Sequence, residues 1–201
     1  MSARWLRATT AILSVPLLFG LTGCGSGGSA ASHNSANPAP SASSLPPRPA
    51  ELRLDNINPC TLLSDADRGQ LKINKGEFSY DGDSTHYAVC QWSNFPATLG
   101  VPDMRYLARL QTHQGADYAL GSTTGHRLVQ LDGFTGVQTT SDGQDPERHC
   151  ILLVDVAPGQ SLWVQYANIG GDYQGLTHEQ SCQFAQAFGE DLMQNLRAQA
   201  R

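Results

Sequence analysis

The sequence is poor in charged residues and contains almost no lysine. Charged side chains make up 15% of its 201 residues, against roughly 25% in typical soluble domains. Only two of the 13 basic residues are lysines, Lys72 and Lys75, and the sequence contains no cluster of basic residues. Nucleic acid binding requires a basic face, and the net charge of this chain is −5. We therefore expect no nucleic acid partner and no charge-driven attraction to an anionic membrane.

The sequence also lacks an apolar run long enough to cross a membrane as a helix. The apolar stretch around residues 11–21 covers about 14 residues and would span roughly 21 Å as a helix, against a bilayer core of about 30 Å. Pro16 lies in its middle and would break the helical hydrogen bonding. Because Arg4 and Arg7 precede the stretch and small residues follow it, residues 1–23 are predicted to be a secretory signal peptide.

A cysteine follows this segment directly. The sequence Leu21-Thr22-Gly23-Cys24 resembles the bacterial lipobox, in which leucine and two small residues precede an invariant cysteine. The resemblance implies that diacylglycerol is attached to the Cys24 thiol and that Cys24 becomes the first residue of the mature chain. Burying about 30 methylene groups at ~0.8 kcal/mol each gives a gross transfer free energy on the order of 20 kcal/mol. We therefore expect a durable lipid anchor in the cell membrane, with the protein on its extracytoplasmic face.

Residues 24–53 are predicted to be the lipidated cysteine and a disordered tether. The segment is rich in serine, proline, alanine and glycine, and Leu45 is the only large aliphatic residue in 25–51. Such a composition cannot bury enough apolar surface to offset the entropy lost on ordering. From residue 54 the pattern changes, and residues 54–201 are predicted to form one extracytoplasmic domain.

The patterns in residues 54–201 predict an α+β domain. Asn58 and Pro59 suit the start of a short N-terminal helix, and Ser64 suits the cap of the turn that follows. Thr177 and Gln180 form a capping box for a C-terminal helix. Between these helices, alternating or apolar runs predict strands at 87–92, 104–113, 127–131, 134–140, 149–156 and 161–168. The predicted fold is a mainly antiparallel sheet with the C-terminal helix packed on it.

Four cysteines remain in the predicted domain: Cys60, Cys90, Cys150 and Cys182. Their even number and the expected export predict two disulfides, and no C-x-x-C spacing supports a zinc or redox site. Loop entropy gives about 9 kcal/mol for Cys60–Cys182 with Cys90–Cys150, and about 7 kcal/mol for Cys60–Cys90 with Cys150–Cys182. That difference does not decide between them. Cys60 and Cys182 lie at predicted helix starts, and Cys90 and Cys150 lie in predicted strands of one sheet. This placement favours Cys60–Cys182 and Cys90–Cys150.

Short motifs in the domain resemble those of a known group. They are Asn58-Pro59-Cys60, Leu62-Leu63, Cys90-Gln91-Trp92 and Cys182. Together with the lipobox and tether, they resemble actinobacterial exported lipoproteins that share a domain of unknown function beginning near an Asp/Asn-Pro-Cys motif. The resemblance covers about residues 55–198. It implies a cell-surface lipoprotein and supplies no activity or catalytic residues.

No motif predicts catalysis, a metal or a cofactor. There is no G-x-S-x-G turn, and the paired Asp81 and Asp83 lack the glycine and distal glutamate of a calcium loop. The glycine-rich residues 168–176 lack the strand–loop–helix order of a phosphate-binding loop. These residues suit a mobile connection, or a binding loop that uses Tyr173.

We therefore predict a non-enzymatic, lipid-anchored binding protein with no cofactor. Its partner is predicted to be an envelope protein, a cell-wall polymer or a small apolar ligand held between sheet and helix. The alternative is a surface hydrolase whose histidine, carboxylate and serine meet only in three dimensions. A transport receptor is a weaker third hypothesis, because about 145 folded residues form one domain of ordinary size rather than two closing lobes.

Overall fold

The computed structural model describes residues 44–81, 85–94, 103–122, 125–139, 145, 147–170 and 176–200. The predicted signal peptide, Cys24, most of the predicted tether, Asp83 and Tyr173 lie outside these ranges. The helices are a 3-10 helix at Pro59–Leu62, α1 at Asp65–Leu71, α2 at Tyr118–Ser122 and α3 at His178–Gln199. The strands are β1 Glu77–Tyr80, β2 Ala88–Ser93, β3 Met104–Gln111, β4 Arg127–Leu131, β5 Phe134–Thr139, β6 His149–Ala157 and β7 Gln160–Asn168.

The seven strands form one antiparallel sheet in the order β1-β2-β3-β7-β6-β5-β4. Helix α3 packs against β6 and β7 on one face. Side chains of alternate residues on β5 and β6 point to the other face, where Ala116 and Ala119 cover Val137 and Leu153. The predicted antiparallel sheet with a C-terminal helix and two disulfides is confirmed. Among the described residues, no helix combines the length and hydropathy needed to cross a membrane.

Local sequence signals set the ends of these elements. Thr177 Oγ1 accepts a hydrogen bond from the Gln180 amide, and Gln180 Oε1 accepts one from the Thr177 amide, as the capping box predicts. Asn58 caps the 3-10 helix through its side-chain oxygen. The turn between β4 and β5 places Asp132 and Gly133 at positive φ, the backbone that a two-residue hairpin turn requires.

Aromatic rings fill the layer between α3 and the sheet. Trp92, Tyr106, Tyr166 and Phe188 are all at most 2% exposed. The Phe188 ring centroid lies 5.5 Å from that of Trp92 and 4.6 Å from that of Tyr106. This layer is the predicted place for a small apolar ligand, and the protein's own rings occupy it.

The disulfide pairing favoured from the sequence is wrong. The structure pairs Cys60 with Cys90 and Cys150 with Cys182, with Cα–Cα distances of 5.1 and 5.0 Å. Strands β3 and β7 lie between the strands of Cys90 and Cys150. Three strand spacings amount to about 14 Å, which is more than twice the usual Cα–Cα distance of a disulfide. The prediction of Cys90–Cys150 is therefore wrong, and Cys60–Cys182 is wrong with it. Membership of one sheet does not bring two cysteines together, because the strand order decides which strands are neighbours.

Gly76 leaves the space that the first disulfide needs. A Cβ atom at this position would lie 2.4 Å from Cys90 Sγ and 2.4 Å from Trp92 Nε1. Both of these atoms belong to fully buried residues. A larger residue would therefore have to displace the disulfide or the indole ring, which is why the chain has glycine directly before β1.

The end of the predicted tether belongs to the folded domain. The Leu52 amide donates a 2.8 Å hydrogen bond to the Val156 carbonyl, and the Leu54 amide donates one of 2.8 Å to Gln160 Oε1. Leu52 is 4% exposed. The predicted tether extends to residue 53, whereas residues 44–53 lie against the end of the β6–β7 hairpin.

Candidate functional site

Two aromatic side chains on β1 form the most exposed apolar feature of the sheet. Phe78 is 45% exposed and Tyr80 is 61% exposed. They are two residues apart, so they lie on the same face of the strand. Their ring centroids are 5.1 Å apart in an edge-to-face arrangement. We call these two side chains the aromatic pair.

Strand β1 is an end strand of the sheet. Within the described residues it pairs with β2 alone, with Phe78 opposite Cys90 and Tyr80 opposite Ala88. All four of its residues are exposed. The outer side of an end strand presents backbone N–H and C=O groups that another chain can pair with.

A small cavity lies beside the aromatic pair. Its volume is about 220 Å³, and it is lined by Asn56, Ile57, Asn58, Phe78, Tyr80 and Ala88. Ile57 packs against the main core, so the floor of the cavity is fixed by the fold. The volume is below the roughly 300–1,000 Å³ of sites for small molecules. A single side chain of a partner suits it better.

Both lysines of the chain lie just before this strand. Lys72 ends α1 in the left-handed conformation with a φ of 55°, and Lys75 lies two residues before β1. Both are exposed, and every side-chain ion pair between described residues has arginine as its cation. The segment that leads into β1 therefore carries two ammonium groups that form no ion pair with a described carboxylate.

A second feature is the docking of residues 44–48, which we call the docked segment. Arg48 Nη1 lies 2.7 and 2.6 Å from the two carboxylate oxygens of Asp155. Asp155 is 5% exposed. Burial raises the pKa of Asp155, and the nearby Asp117 carboxylate raises it further, whereas Arg48 opposes both effects.

The docked segment also covers part of the second face of the sheet. Leu45 packs against the small apolar cluster that contains Val137, Ile151 and Leu153. Between the segment and the β6–β7 turn lies a cavity of about 360 Å³ with Asp117 and Asp155 in its wall. The described part of the domain therefore begins with this segment, at residue 44.

We predict that Arg48→Ala destabilises the domain by about 1–3 kcal/mol, because the Asp155 carboxylate loses its partner while it stays buried. The loss should be full near neutral pH. It should shrink as the pH falls through the folded-state pKa of Asp155. That pKa is raised, so the folded state binds the proton more tightly than the unfolded state, and a protonated Asp155 no longer needs Arg48 as a partner. Urea denaturation between neutral and acidic pH measures this dependence.

The matched control is Arg53→Ala. Arg53 pairs with Asp55 at the surface, where its side chain is 65% exposed, so its removal should change stability by less than about 1 kcal/mol. In the double variant with Asp155→Asn, most of the loss caused by Arg48→Ala should be absent. A loss that is independent of both pH and Asp155 would contradict the ion-pair explanation.

Two histidines of the predicted domain have described side-chain contacts near the second disulfide. His149 Nδ1 is 3.2 Å from the Asp145 carbonyl oxygen, and His178 Nε2 is 3.5 Å from Cys182 Sγ of the second disulfide. Asp81, in the segment that lacks the residues of a calcium loop, pairs with Arg109 at 3.2 Å. Within the described ranges, no group of three or more His, Cys, Asp or Glu side chains is placed to hold a metal ion.

Neither the aromatic pair nor the docked segment is predicted from the sequence. The alternation Phe78-Ser79-Tyr80 between Gly76 and Asp81 is a short strand signal. Its four exposed residues give no burial pattern to support it. Arg48 gives no local signal, because its partner lies 107 residues away.

Comparison with known families identifies one match. A family model described as "Protein of unknown function (DUF3558)" covers residues 19–195. The chain therefore belongs to this family, in agreement with the expected domain of unknown function. Comparisons with curated proteins and with solved structures give no significant match.

Proposed function

We propose that this DUF3558 protein is a non-enzymatic, lipid-anchored protein of the cell envelope that binds an envelope protein at the edge of β1. In this proposal Cys24 carries diacylglycerol, and residues 25–43 connect the membrane to the docked segment. The domain then stands on the extracytoplasmic side of the membrane. The exposed aromatic pair on an end strand is the observation that carries the binding role.

The cysteine chemistry supports the proposed compartment. All four cysteines of the domain are paired in two disulfides, as expected on the oxidising side of a membrane. The fifth, Cys24, follows Leu-Thr-Gly in the lipobox-like sequence. Two acyl chains on this sulfur would hold the protein durably, whereas a single chain gives only marginal binding.

The surface of β1 favours a protein partner over a cell-wall polymer or a free apolar ligand. Aromatic residues are enriched in protein interfaces and contribute much of their binding energy. The cavity of about 220 Å³ beside the aromatic pair has the size for one partner side chain. The outer edge of β1 also presents backbone N–H and C=O groups, and only a polypeptide can pair with the whole row.

We predict that the mature protein begins at Cys24 and carries covalently bound acyl groups. Mass spectrometry of the protein extracted from native membranes measures both properties. Cys24→Ser should move the protein from the membrane fraction to the soluble fraction, or leave it as an unprocessed precursor. A native chain that starts at another residue, or that lacks added fatty groups, would contradict the anchoring proposal.

We predict that a photo-crosslinking amino acid at position 80 captures an envelope protein in intact cells. The same amino acid at Tyr118 is the matched control, because Tyr118 is 59% exposed and lies on α2, away from β1. Phe78→Ala should lower the yield of the adduct at position 80 at least tenfold. Equal capture at both positions, or a protease-resistant polymer adduct at position 80, would contradict binding of a protein at β1.

A further inference from the structure

We infer that β1 binds an extended, acidic segment of its partner, which adds to the sheet as an eighth strand. This inference rests on the proposed function, because it assumes a protein partner at β1. It adds the backbone conformation of the bound segment and the sign of its charge. Three observations support it: the available strand edge, the spacing of the aromatic pair and the position of the two lysines.

The edge of β1 is shaped for an added strand. Its inner side is hydrogen-bonded to β2 over the whole register from Glu77 to Tyr80. Its outer side faces away from the sheet at the end of the strand order. An extended peptide placed there would continue the antiparallel sheet and obtain affinity from main-chain hydrogen bonds.

The aromatic pair supplies contacts that suit alternate residues of an extended segment. Phe78 and Tyr80 lie on one face of β1, and side chains of a neighbouring strand on that face would meet them directly. The cavity between Ile57 and these rings would accept one of those side chains. By contrast, Leu128 is the only large apolar residue on the opposite end strand, β4, that is similarly exposed, at 46%.

The charge near β1 favours an acidic segment. Lys72 and Lys75 contribute two positive charges that no described ion pair neutralises, and Glu77 on β1 contributes one negative charge. The nearby Asp81 pairs with Arg109. Apart from the paired Asp81, the described charged residues from 72 to 81 therefore sum to a positive charge, on a chain whose overall charge is −5, and complementary charge sets which partner is accepted.

A second copy of this chain is the alternative occupant of this edge. In a symmetric, antiparallel dimer through β1, the Lys75 end of each strand would lie beside the Tyr80 end of the other. The neighbouring Asp81 is already paired with Arg109, whereas an acidic segment would bring carboxylates that have no partner. Self-association of the protein is therefore an outcome that the test below must separate.

The experiment uses the mature protein, purified from membranes in detergent, and blocked octapeptides that alternate glutamate and valine. The matched peptides have lysine in place of glutamate. We expect the acidic peptide to bind at least tenfold more tightly and to slow amide hydrogen exchange over residues 76–81. Lys72→Glu with Lys75→Glu should remove this preference, whereas Tyr118→Ala should leave it unchanged.

Backbone methylation tests strand addition itself, because an edge strand uses only alternate amides for pairing. Methylating one alternate set of peptide amides should weaken binding at least tenfold, and methylating the other set should have little effect. Equal effects of the two sets, or tighter binding of the lysine peptide, would overturn the inference. So would the absence of binding at about 1 mM peptide, or self-association of the protein through β1.

Failure here is distinguishable from failure of the proposed function. If the crosslinker at position 80 captures a protein while the peptides show no dependence on charge or methylation, only strand addition is overturned. If positions 80 and 118 give equal capture, the proposed partner site itself is overturned.

Discussion

Replacing both Cys60 and Cys90 by serine should lower the free energy of unfolding by about 3.5 kcal/mol. The two residues are 30 positions apart, and closing a loop of this length removes about that much conformational free energy from the unfolded chain. The disulfide also joins the 3-10 helix at Pro59–Leu62 to β2, beneath Gly76 and beside Trp92. Because a domain of this size has a stability of roughly 5–15 kcal/mol, the change removes a large share of it. Urea denaturation measures the effect.

The variant with serine at Cys150 and Cys182 is the matched comparison. Its loop of 32 residues is almost the same length, so the loss should also be about 3.5 kcal/mol. Peptide mapping without reduction should recover fragments that link Cys60 to Cys90 and Cys150 to Cys182. A fragment that links Cys60 to Cys182 would contradict the structure and the basis of this prediction.

The parts of the fold that depend on neighbouring residues could be predicted from the sequence. The capping box at Thr177 and Gln180 and the helix start at Asn58 concern residues within one turn of each other. The Asp132-Gly133 turn needs only the backbone freedom of two residues. Such signals are decided by local hydrogen bonding and φ, so no knowledge of the remaining chain is needed.

The disulfides could not be predicted because strand order is not a local property. Neither apolar periodicity nor loop entropy places β3 and β7 between β2 and β6. Once that order is known, Cys90 and Cys150 are too far apart to bond. Loop entropy did not decide between the pairings, because it measures the unfolded chain alone. The wrong pairing was favoured by the type of element that holds each cysteine, which contains no information on the distances in the folded state.

The candidate site was missed for a related reason. Burial periodicity finds strands with one apolar face inside, and β1 has all four residues exposed. The docked segment has the composition of a disordered tether, and it is ordered by Asp155, which is distant in sequence. Composition predicts whether a segment can fold alone. It does not predict whether an existing surface will bind that segment.

The second large expected effect is at Phe188. Phe188→Ala should cost about 3–5 kcal/mol, because a fully buried ring is removed and a cavity remains. This ring touches both Trp92 on β2 and Tyr106 on β3, so it joins α3 to the half of the sheet that contains β1. Urea denaturation measures the loss, and hydrogen exchange should increase in β2 and β3.

Phe184→Ala on the same helix is the control, because it removes the same ring from a partly exposed position. Phe184 is 38% exposed and stacks on Tyr166 with a centroid distance of 5.0 Å, so its loss should cost about 1 kcal/mol. The difference between the two variants therefore reports the burial of Phe188 together with its second ring contact. A loss as small at Phe188 as at Phe184 would mean that α3 is held mainly by its start, where Cys182 fixes it to β6, and not by the aromatic layer. In that case the aromatic layer would not be what keeps β2, and the edge strand paired with it, in place.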